Sequence, residues 1–345
     1  MTERKRGTTK RKRIFSGMQP SGEAHLGNYL GALKRWVDMQ DDYDCIWCIV
    51  DDHAITSGGD PGEMPRNIFD LAVSFLAVGL DPERAIIFVQ SDVHEHTELA
   101  WLFNAVTPVG DLERMTQYKD KSQRFESVPA GILNYPLLQA ADILAYKADA
   151  VPVGEDQRQH VELTREIARK FNAAYGDTFP EPEALVGDAG KILGLDGDAK
   201  MSKSLGNTVG ILAEPDEVWA RVRTAVTDPQ RVRRTDPGRP EVCNVFSLHR
   251  FFTDAATVAE IDRRCRIADI GCVDCKRILA DNITAAFAPF RERAAHYRAH
   301  PEEVRRILDE GAERARAIAS ATLGEVRHRM GLDWREALRP DGRLP

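Results

Sequence analysis

The stretch Ile14-Phe15-Ser16-Gly17-Met18-Gln19-Pro20-Ser21-Gly22-Glu23-Ala24-His25-Leu26-Gly27-Asn28 decides the reading of this chain. It begins as an apolar, strand-like run at 14–18, passes through a loop with two glycines flanking Glu23-Ala24-His25-Leu26, and opens a helix-like run at 30–39. A glycine-rich turn between strand and helix lets backbone approach phosphate, and the start of a helix favours negative charge. Far along the chain, Lys200-Met201-Ser202-Lys203-Ser204, followed by Gly206, reads as a loop carrying two cations and two hydroxyls. Together the two stretches suit a site that grips a nucleoside triphosphate from both sides.

Working outward, the runs at 45–50 and 85–89 read as buried parallel strands, alternating with helix-like segments at 28–40, 64–79 and 95–106. Strand–helix repeats of this length imply right-handed crossovers and a doubly wound sheet. The polar segment 110–128 reads as an insertion. Pro136 is expected in the first turn of a further helix, 151–153 is a short strand, and 159–175 is helical. Past Ser204 strand-like runs vanish. The remainder reads as helical apart from a loop at 228–241 that carries Arg231, Arg233, Arg234 and Arg239, and 301–331 reads as an exposed helix pair. The expected fold is α/β, a doubly wound Rossmann-type parallel sheet with a C-terminal all-helical domain. Its expected units are a basic arm at 1–13, a sheet domain at 14–206 and a helical domain at 207–345.

The segments SGMQPSGEAHLGN (16–28) and KMSKS (200–204) resemble those of class I aminoacyl-tRNA synthetases. Between them, YPLLQAADIL (135–144) and VPVGEDQRQH (151–160) resemble tryptophanyl-tRNA synthetases in particular, and the resemblance runs from about Ile14 to about Leu332. It implies a homodimeric, bacterial-type, cytoplasmic enzyme that activates L-tryptophan with ATP and Mg²⁺ and passes it to the terminal ribose of tRNA(Trp). The chemistry is adenylyl transfer: a carboxylate attacks the α-phosphate of ATP and pyrophosphate leaves, so protein groups need only align the reactants and stabilise charge. His25 and Asn28 supply donors at the turn. Gln19, Pro20 and Ser21 form a loop under the nucleotide, and Gly27 lets adenine or ribose sit close to the backbone. Lys200 and Lys203 neutralise the leaving pyrophosphate with its Mg²⁺, and Met201, Ser202 and Ser204 share their loop. The family more often has His where this chain has Asn28; Asn keeps a neutral donor. By resemblance Gly154, Glu155 and Asp156 line the nucleotide side and Gln157 helps hold the amino acid, although alone this segment reads as a turn with an N-capping Asp. Ile192 stands where the family touches adenine; plain core packing is the other reading.

Asp142 is the most telling single residue. It stands among Leu137, Leu138, Ala140, Ala141, Ile143 and Leu144, where a carboxylate is costly without a partner. Indole offers one polar atom, an N–H donor, and a buried acceptor matched to it would reject phenylalanine by roughly 10⁴–10⁵. A salt bridge to Lys147 is the alternative. Phe15, Gly17, Val50, Val151 and Val153 belong to the same expected pocket, with Tyr135 and Gln157 on the α-amino group and His53 at the sheet end beside the substrate. Gln139 replaces the Met more common in the family. His94-Glu95-His96 reads as a polar helix start, because no third metal ligand is evident.

The six cysteines divide. Cys45 and Cys48 form a C-x-x-C within a strand, where positions i and i+3 face opposite sides, so they read as core. Cys243, Cys265, Cys272 and Cys275 follow C-x21-C-x6-C-x2-C, and four thiolates suit either Zn²⁺ or a [4Fe–4S] cluster. A subgroup of the family carries a similar quartet that holds [4Fe–4S], which makes the cluster the expectation and zinc the alternative. Arg263, Arg264, Arg266, Lys276 and the loop at 231–239 then suggest phosphate contacts with the anticodon stem, against the reading of a solvated charged face.

Composition sets the outer bounds. The chain has 345 residues, enough for two domains. With 43% hydrophobic and 29% charged residues it reads as a soluble globular protein, and no run of about 18 apolar residues predicts a membrane span. A net charge of −7 does not exclude RNA, because binding follows local patches. Residues 2–13 are basic but lead into a strand rather than an apolar signal core; they read as a solvated end or as an arm on tRNA phosphates. Two rivals are a tyrosyl-tRNA synthetase, which shares the fold, and a cluster-dependent redox-sensing RNA-binding protein.

Overall fold

Five short runs pair in parallel as β1 (Arg13–Met18), β2 (Asp44–Ile49), β3 (Ala85–Val89), β4 (Ala150–Val153) and β5 (Glu183–Val186), in the order β3-β2-β1-β4-β5. They belong to a computed structural model that describes residues 11–334 except 57, 59, 124 and 188–191. Residues 1–10, most of the basic arm, lie outside the described residues, as does the end of the chain from 335. β1 to β4 are the strands expected from sequence. β5 was not expected: it is a half-buried edge strand of four residues between Pro182 and Gly187, too short and too exposed to stand out as an apolar run.

Side chains alternate across this sheet and build a core on each face. Ile14, Cys45, Trp47 and Ile87 face one side, and Phe15, Ile46, Cys48 and Phe88 face the other. Cys45 and Cys48 are therefore separated by the sheet itself, as the alternation predicts. The first face is covered by a helical run of Leu26–Asn28, a π-type turn Tyr29–Leu33 and Lys34–Met39, together with the helix Met64–Val78. Trp36 from that run stacks on Trp47 at 4.7 Å between ring centroids. The helices Glu95–Phe103, Ala130–Leu144 and Arg158–Tyr175 cover the second face.

Two details differ from the expectation. The segment 110–128 holds the short helices Val109–Glu113 and Thr116–Ser122. Pro136 lies inside Ala130–Leu144 rather than in its first turn, so the bond its missing N–H would make to Ile132 is forfeited.

Between 207 and 334 the chain is helical, with Pro215–Val222, Asn244–Phe252, Ala255–Arg266, Cys272–Ala299 and Pro301–Arg329. The helical part keeps contact with the first half, since Leu26 N–H donates to Val209 O at 2.8 Å and Ile211 N–H to Ala24 O at 3.1 Å. Ile192 and Met201 share one apolar cluster with Val218, Val245 and Leu279.

The segment expected as an exposed helix pair is instead one helix, Pro301–Arg329, with a buried stripe. Val304 and Ile307 join the first core, while Ala312, Ala315, Ala319, Leu323 and Val326 join the second, so the helix crosses the edge at β3. A Cβ added at Gly311 would lie 1.8 Å from the carbonyl oxygen of Ile87, which is how closely this helix approaches the strand. Covering an edge in this way removes a template for unwanted pairing. Among the described residues no helix is long and apolar enough to cross a membrane.

Candidate active site

Strand order reverses between β1 and β4, and open parallel sheets bind ligands in the crevice at such a switch point. The turn after β1 carries Gln19 to Asn28, and the turn after β4 carries Gly154 to Gln157. His25 caps the first helix through a reciprocal pair: Asn28 N–H donates to His25 Nδ1 at 3.2 Å and His25 N–H donates to Asn28 Oδ1 at 3.0 Å. Nδ1 therefore accepts, and in the neutral ring the proton sits on Nε2 as a donor. Burial, then Lys203 and Lys200, push the His25 pKa down to about 4, so the ring is neutral at pH 7. Asn28 keeps the donor expected of it, because its Nδ2 has no hydrogen-bond partner among the described residues.

The lysine loop closes on this turn. Lys203 Nζ donates to Ser21 O at 2.6 Å, across 182 positions of sequence. Lys200 Nζ stands 3.9 Å from Asp156 Oδ2, with both groups exposed. The loop is held from behind by Asn207, whose Oδ1 accepts from Ser202 N–H at 2.8 Å and whose Nδ2 donates to Asp196 Oδ2 at 2.6 Å. Ser202 and Ser204 share a hydrogen bond at 2.9 Å, and Met201 is buried. Ile192, also buried, accepts from Met201 N–H at 3.1 Å and packs in the core. A Cβ at Gly27 would lie 3.1 Å from the His25 ring and 3.1 Å from Met201 Cβ, so glycine here lets the His25 turn and the lysine loop pack closely.

Asp142, 2% exposed, has three partners, none of them Lys147. His53 Nε2 lies 2.9 Å from Oδ2, His96 Nδ1 lies 2.6 Å from Oδ1, and Gln90 Nε2 donates to Oδ1 at 2.6 Å. Burial alone would raise this carboxyl's pKa; the hydrogen bonds from His53 and His96 overcome burial and bring it down to about 2. Lys147 pairs with Glu325 instead.

Gln90, His96 and Tyr146 were not among the expected site residues. Gln90 directly follows β3, at a strand end, and that was the available signal. His96 is fully buried rather than part of a polar helix start, and its Nε2 lies 2.6 Å from the Tyr146 hydroxyl.

Phe15 stacks on Tyr146 at 5.5 Å. A Cβ at Gly17 would lie 2.6 Å from Val50 Cγ1, so only glycine lets the end of β1 meet Val50. The Tyr135 hydroxyl bonds His160 Nε2 at 2.8 Å, and burial raises its pKa to about 12. Gln139 Nε2 reaches Gln157 Oε1 at 3.5 Å, and Gln157 Nε2 donates to Asp156 Oδ2 at 3.2 Å, linking the helix Ala130–Leu144 to the turn after β4.

The four distal cysteines lie within electrostatic range of one another. Burial, then the charges of Cys243, Cys265 and Cys272, raise the Cys275 pKa to about 12. Cys275 Sγ lies 3.4 Å from His249 Nε2 and Cys265 Sγ 3.5 Å from Arg231 Nη1. A Cβ at Gly238 would lie 2.4 Å from Cys265 Sγ. Among the described residues no three His, Cys, Asp or Glu side chains stand in metal-binding geometry.

Of the arginines expected on a phosphate-binding face, Arg231 is buried, and Arg239 pairs with Asp228 at 2.7 Å. Arg263, Arg264 and Arg266 pair with Glu260, Asp269 and Asp262. Arg234 is exposed, 3.8 Å from Asp274.

Comparison with known proteins adds to this geometry. The family model for class I tRNA synthetases (W and Y) matches residues 7–288. A tryptophan–tRNA ligase of Deinococcus radiodurans is 54% identical over 324 residues, spanning 92% of this chain and 98% of its own. One from Caldanaerobacter subterraneus is 44% identical over 333 residues, spanning 94% and 100%. The crystal structure of tryptophanyl-tRNA synthetase from Campylobacter jejuni complexed with ADP and tryptophan superposes with a TM-score of 0.85 at 38% identity, covering 92% of this chain and 99% of that one. A tyrosyl-tRNA synthetase from Archaeoglobus fulgidus, at 23% identity and a TM-score of 0.65, shares the fold.

Proposed function

This chain belongs to the class I tRNA synthetases for tryptophan and tyrosine, and from that premise we propose how its residues divide the work. Its reaction is that of the tryptophan–tRNA ligases: ATP and L-tryptophan give tryptophanyl-adenylate and pyrophosphate, and the tryptophanyl group then passes to tRNA. The observation that carries the assignment of roles is the closure of Lys203 on Ser21 O at 2.6 Å, which draws the lysine loop over the His25 turn at the sheet's switch point.

In this reading His25 Nε2–H and Asn28 Nδ2 donate to phosphate oxygens, and Lys200 and Lys203 stabilise the charge that grows on the leaving pyrophosphate with its Mg²⁺. Gln19, Pro20, Ser21, Gly27, Gly154, Glu155, Asp156 and Ile192 surround the nucleotide, with Met201, Ser202 and Ser204 in the closing loop. Asp142 reads the indole N–H, and Phe15, Gly17, His53, Tyr135, Gln139 and Gln157 shape the tryptophan side. A carboxylate has about four acceptor directions. Three are filled by His53, His96 and Gln90, which leaves one on Oδ2 for the ligand.

We further propose that 14–206 is the catalytic unit, that 207–345 binds the anticodon region of tRNA(Trp), and that 1–13 is a basic arm. The enzyme would act in the cytoplasm as a homodimer. Ile55, Trp101 and Val109 are large, exposed apolar side chains on segments that leave the carboxyl ends of β2 and β3, and they support a second copy docking there.

Cys243, Cys265, Cys272 and Cys275 are proposed to hold a [4Fe–4S] cluster, with zinc the alternative metal; either would cross-link the hairpin as a structural clip. Four cysteine thiols suit either metal by their chemistry, and a buried guanidinium beside Cys265 that pairs with no carboxylate among the described residues supports a negatively charged thiolate group. Iron, acid-labile sulfide and zinc per chain after anaerobic purification decide between the two metals.

ATP–pyrophosphate exchange tests the division of roles. Wild-type protein should exchange with tryptophan and not with tyrosine. Lys203→Ala should lower kcat by roughly 10²-fold with little change in KM for tryptophan. Wild-type kcat in Lys203→Ala would remove that residue from the chemistry.

A further inference from the structure

We propose that His96 and Tyr146 are positioning residues for tryptophan: a buried chain from the Tyr146 hydroxyl through His96 to Asp142 fixes the one acceptor direction of Asp142 that remains for the indole N–H. The inference rests on Asp142 as the indole partner and goes beyond it, because neither residue needs to touch the substrate. Both are fully buried.

With a neutral His96 ring, one order of protons along the chain satisfies every contact. An ionised carboxylate only accepts, so His96 Nδ1, 2.6 Å from Asp142 Oδ1, carries a proton and donates it. In the neutral ring Nε2 then accepts, and the Tyr146 O–H, 2.6 Å away, donates to it. Burial keeps that phenol protonated by pushing its pKa well above the usual value. Gln90 fills the second acceptor direction of Oδ1 at 2.6 Å. Oδ1 is thereby locked, and Oδ2 turns its unused direction to a position set by the chain.

Tyr146 is itself held, its ring stacked on Phe15 of β1 at 5.5 Å and 9° between planes. The direction of the acceptor is thus referred back to the central strand of the sheet. The other ionisable groups acting around Asp142 are His53, Asp52 and Cys48.

The test is the KM for tryptophan in ATP–pyrophosphate exchange between pH 5 and 8, on full-length variants checked for cooperative melting and for an unchanged KM for ATP. In wild type the KM should be flat with pH, because Asp142 stays ionised throughout. His96→Leu removes a donor, so burial moves the carboxyl upward. Its KM should rise roughly tenfold to a hundredfold and climb further as pH falls. His96→Asn offers an amide N–H near the Nδ1 position and should restore most of the affinity and the flat profile. Tyr146→Phe removes one oxygen, is the variant least disturbing to the fold, and should raise the KM by roughly fivefold.

A wild-type KM in Tyr146→Phe overturns the part assigned to Tyr146. Equal losses in His96→Leu and His96→Asn, without an acid limb, overturn the proton order. Asp142→Asn separates this inference from its premise. If that variant keeps a wild-type KM, the reading of Asp142 itself is wrong; if it loses tryptophan while His96→Leu does not, only the chain behind it is wrong.

Discussion

Asp142 in the helix Ala130–Leu144 and Arg231 beside Cys265 are both buried, 2% and 9% exposed, yet they are partnered differently. The carboxylate receives hydrogen bonds from His53, His96 and Gln90, drawn from three segments, and so stays charged in an apolar helix. The guanidinium gives Nη2 to the carbonyls of Ile270 at 2.7 Å and Arg234 at 3.1 Å, and Nη1 to Cys265 Sγ at 3.5 Å. Among the described residues its Nε has no partner and no carboxylate pairs with it. Isolated buried charges are expensive. The chain therefore completes the environment of one charge by itself and leaves the other to be balanced. In the proposed division of roles the first belongs to a pocket built before its ligand arrives, and the second to a site that a negatively charged thiolate set would complete.

The largest expected effect comes from removing the balanced charge. Asp142→Ala leaves three donors without their acceptor. It should lower kcat/KM for tryptophan by roughly 10³-fold and unfolding stability by about 3 kcal/mol. Exchange kinetics and urea denaturation of the same preparation check both numbers, and a small loss in either would mean that the three donors find other partners.

A smaller effect should follow at the other charge. Arg231→Met in anaerobically purified protein should retain less iron. The proposed cluster, where it is retained, should have a reduction potential lower by on the order of 50 mV, since a nearby cation favours the more negative, reduced form. An unchanged potential would separate Arg231 from the quartet and erase the contrast with Asp142.

The same contrast explains what was legible in the sequence. Strands β1 to β4 and the principal helices are written as runs of apolar residues, and the His25 turn and lysine loop as short local motifs. The partners of Asp142 are not local: His53, Gln90 and His96 precede it by 89, 52 and 46 positions. Only the winding of β2 and β3 beside β1 brings them together. His96 looked like a polar helix start because its neighbours His94 and Glu95 are polar, while its burial is decided by the facing helix. Arg231 reads as one more surface arginine in a basic loop, and the close packing of Gly238 against Arg231 and Cys265 has no residue pattern of its own. The middle of the buried stripe of Pro301–Arg329 is built from Gly311, Ala312, Ala315 and Ala319. Small residues give a weak hydrophobic signal, and they are the residues that permit close approach to β3.

The most direct test of the tryptophan pocket compares L-tryptophan with its benzothienyl analogue, in which sulfur replaces the indole N–H in a ring of nearly the same shape. Both are assayed in ATP–pyrophosphate exchange by the wild-type enzyme. One remaining acceptor on Asp142 predicts that kcat/KM for the analogue falls by at least about a hundredfold, because the buried carboxylate is then left a partner short. Equal use of the two amino acids would mean that the pocket selects tryptophan by shape and that Asp142 does not read the indole nitrogen.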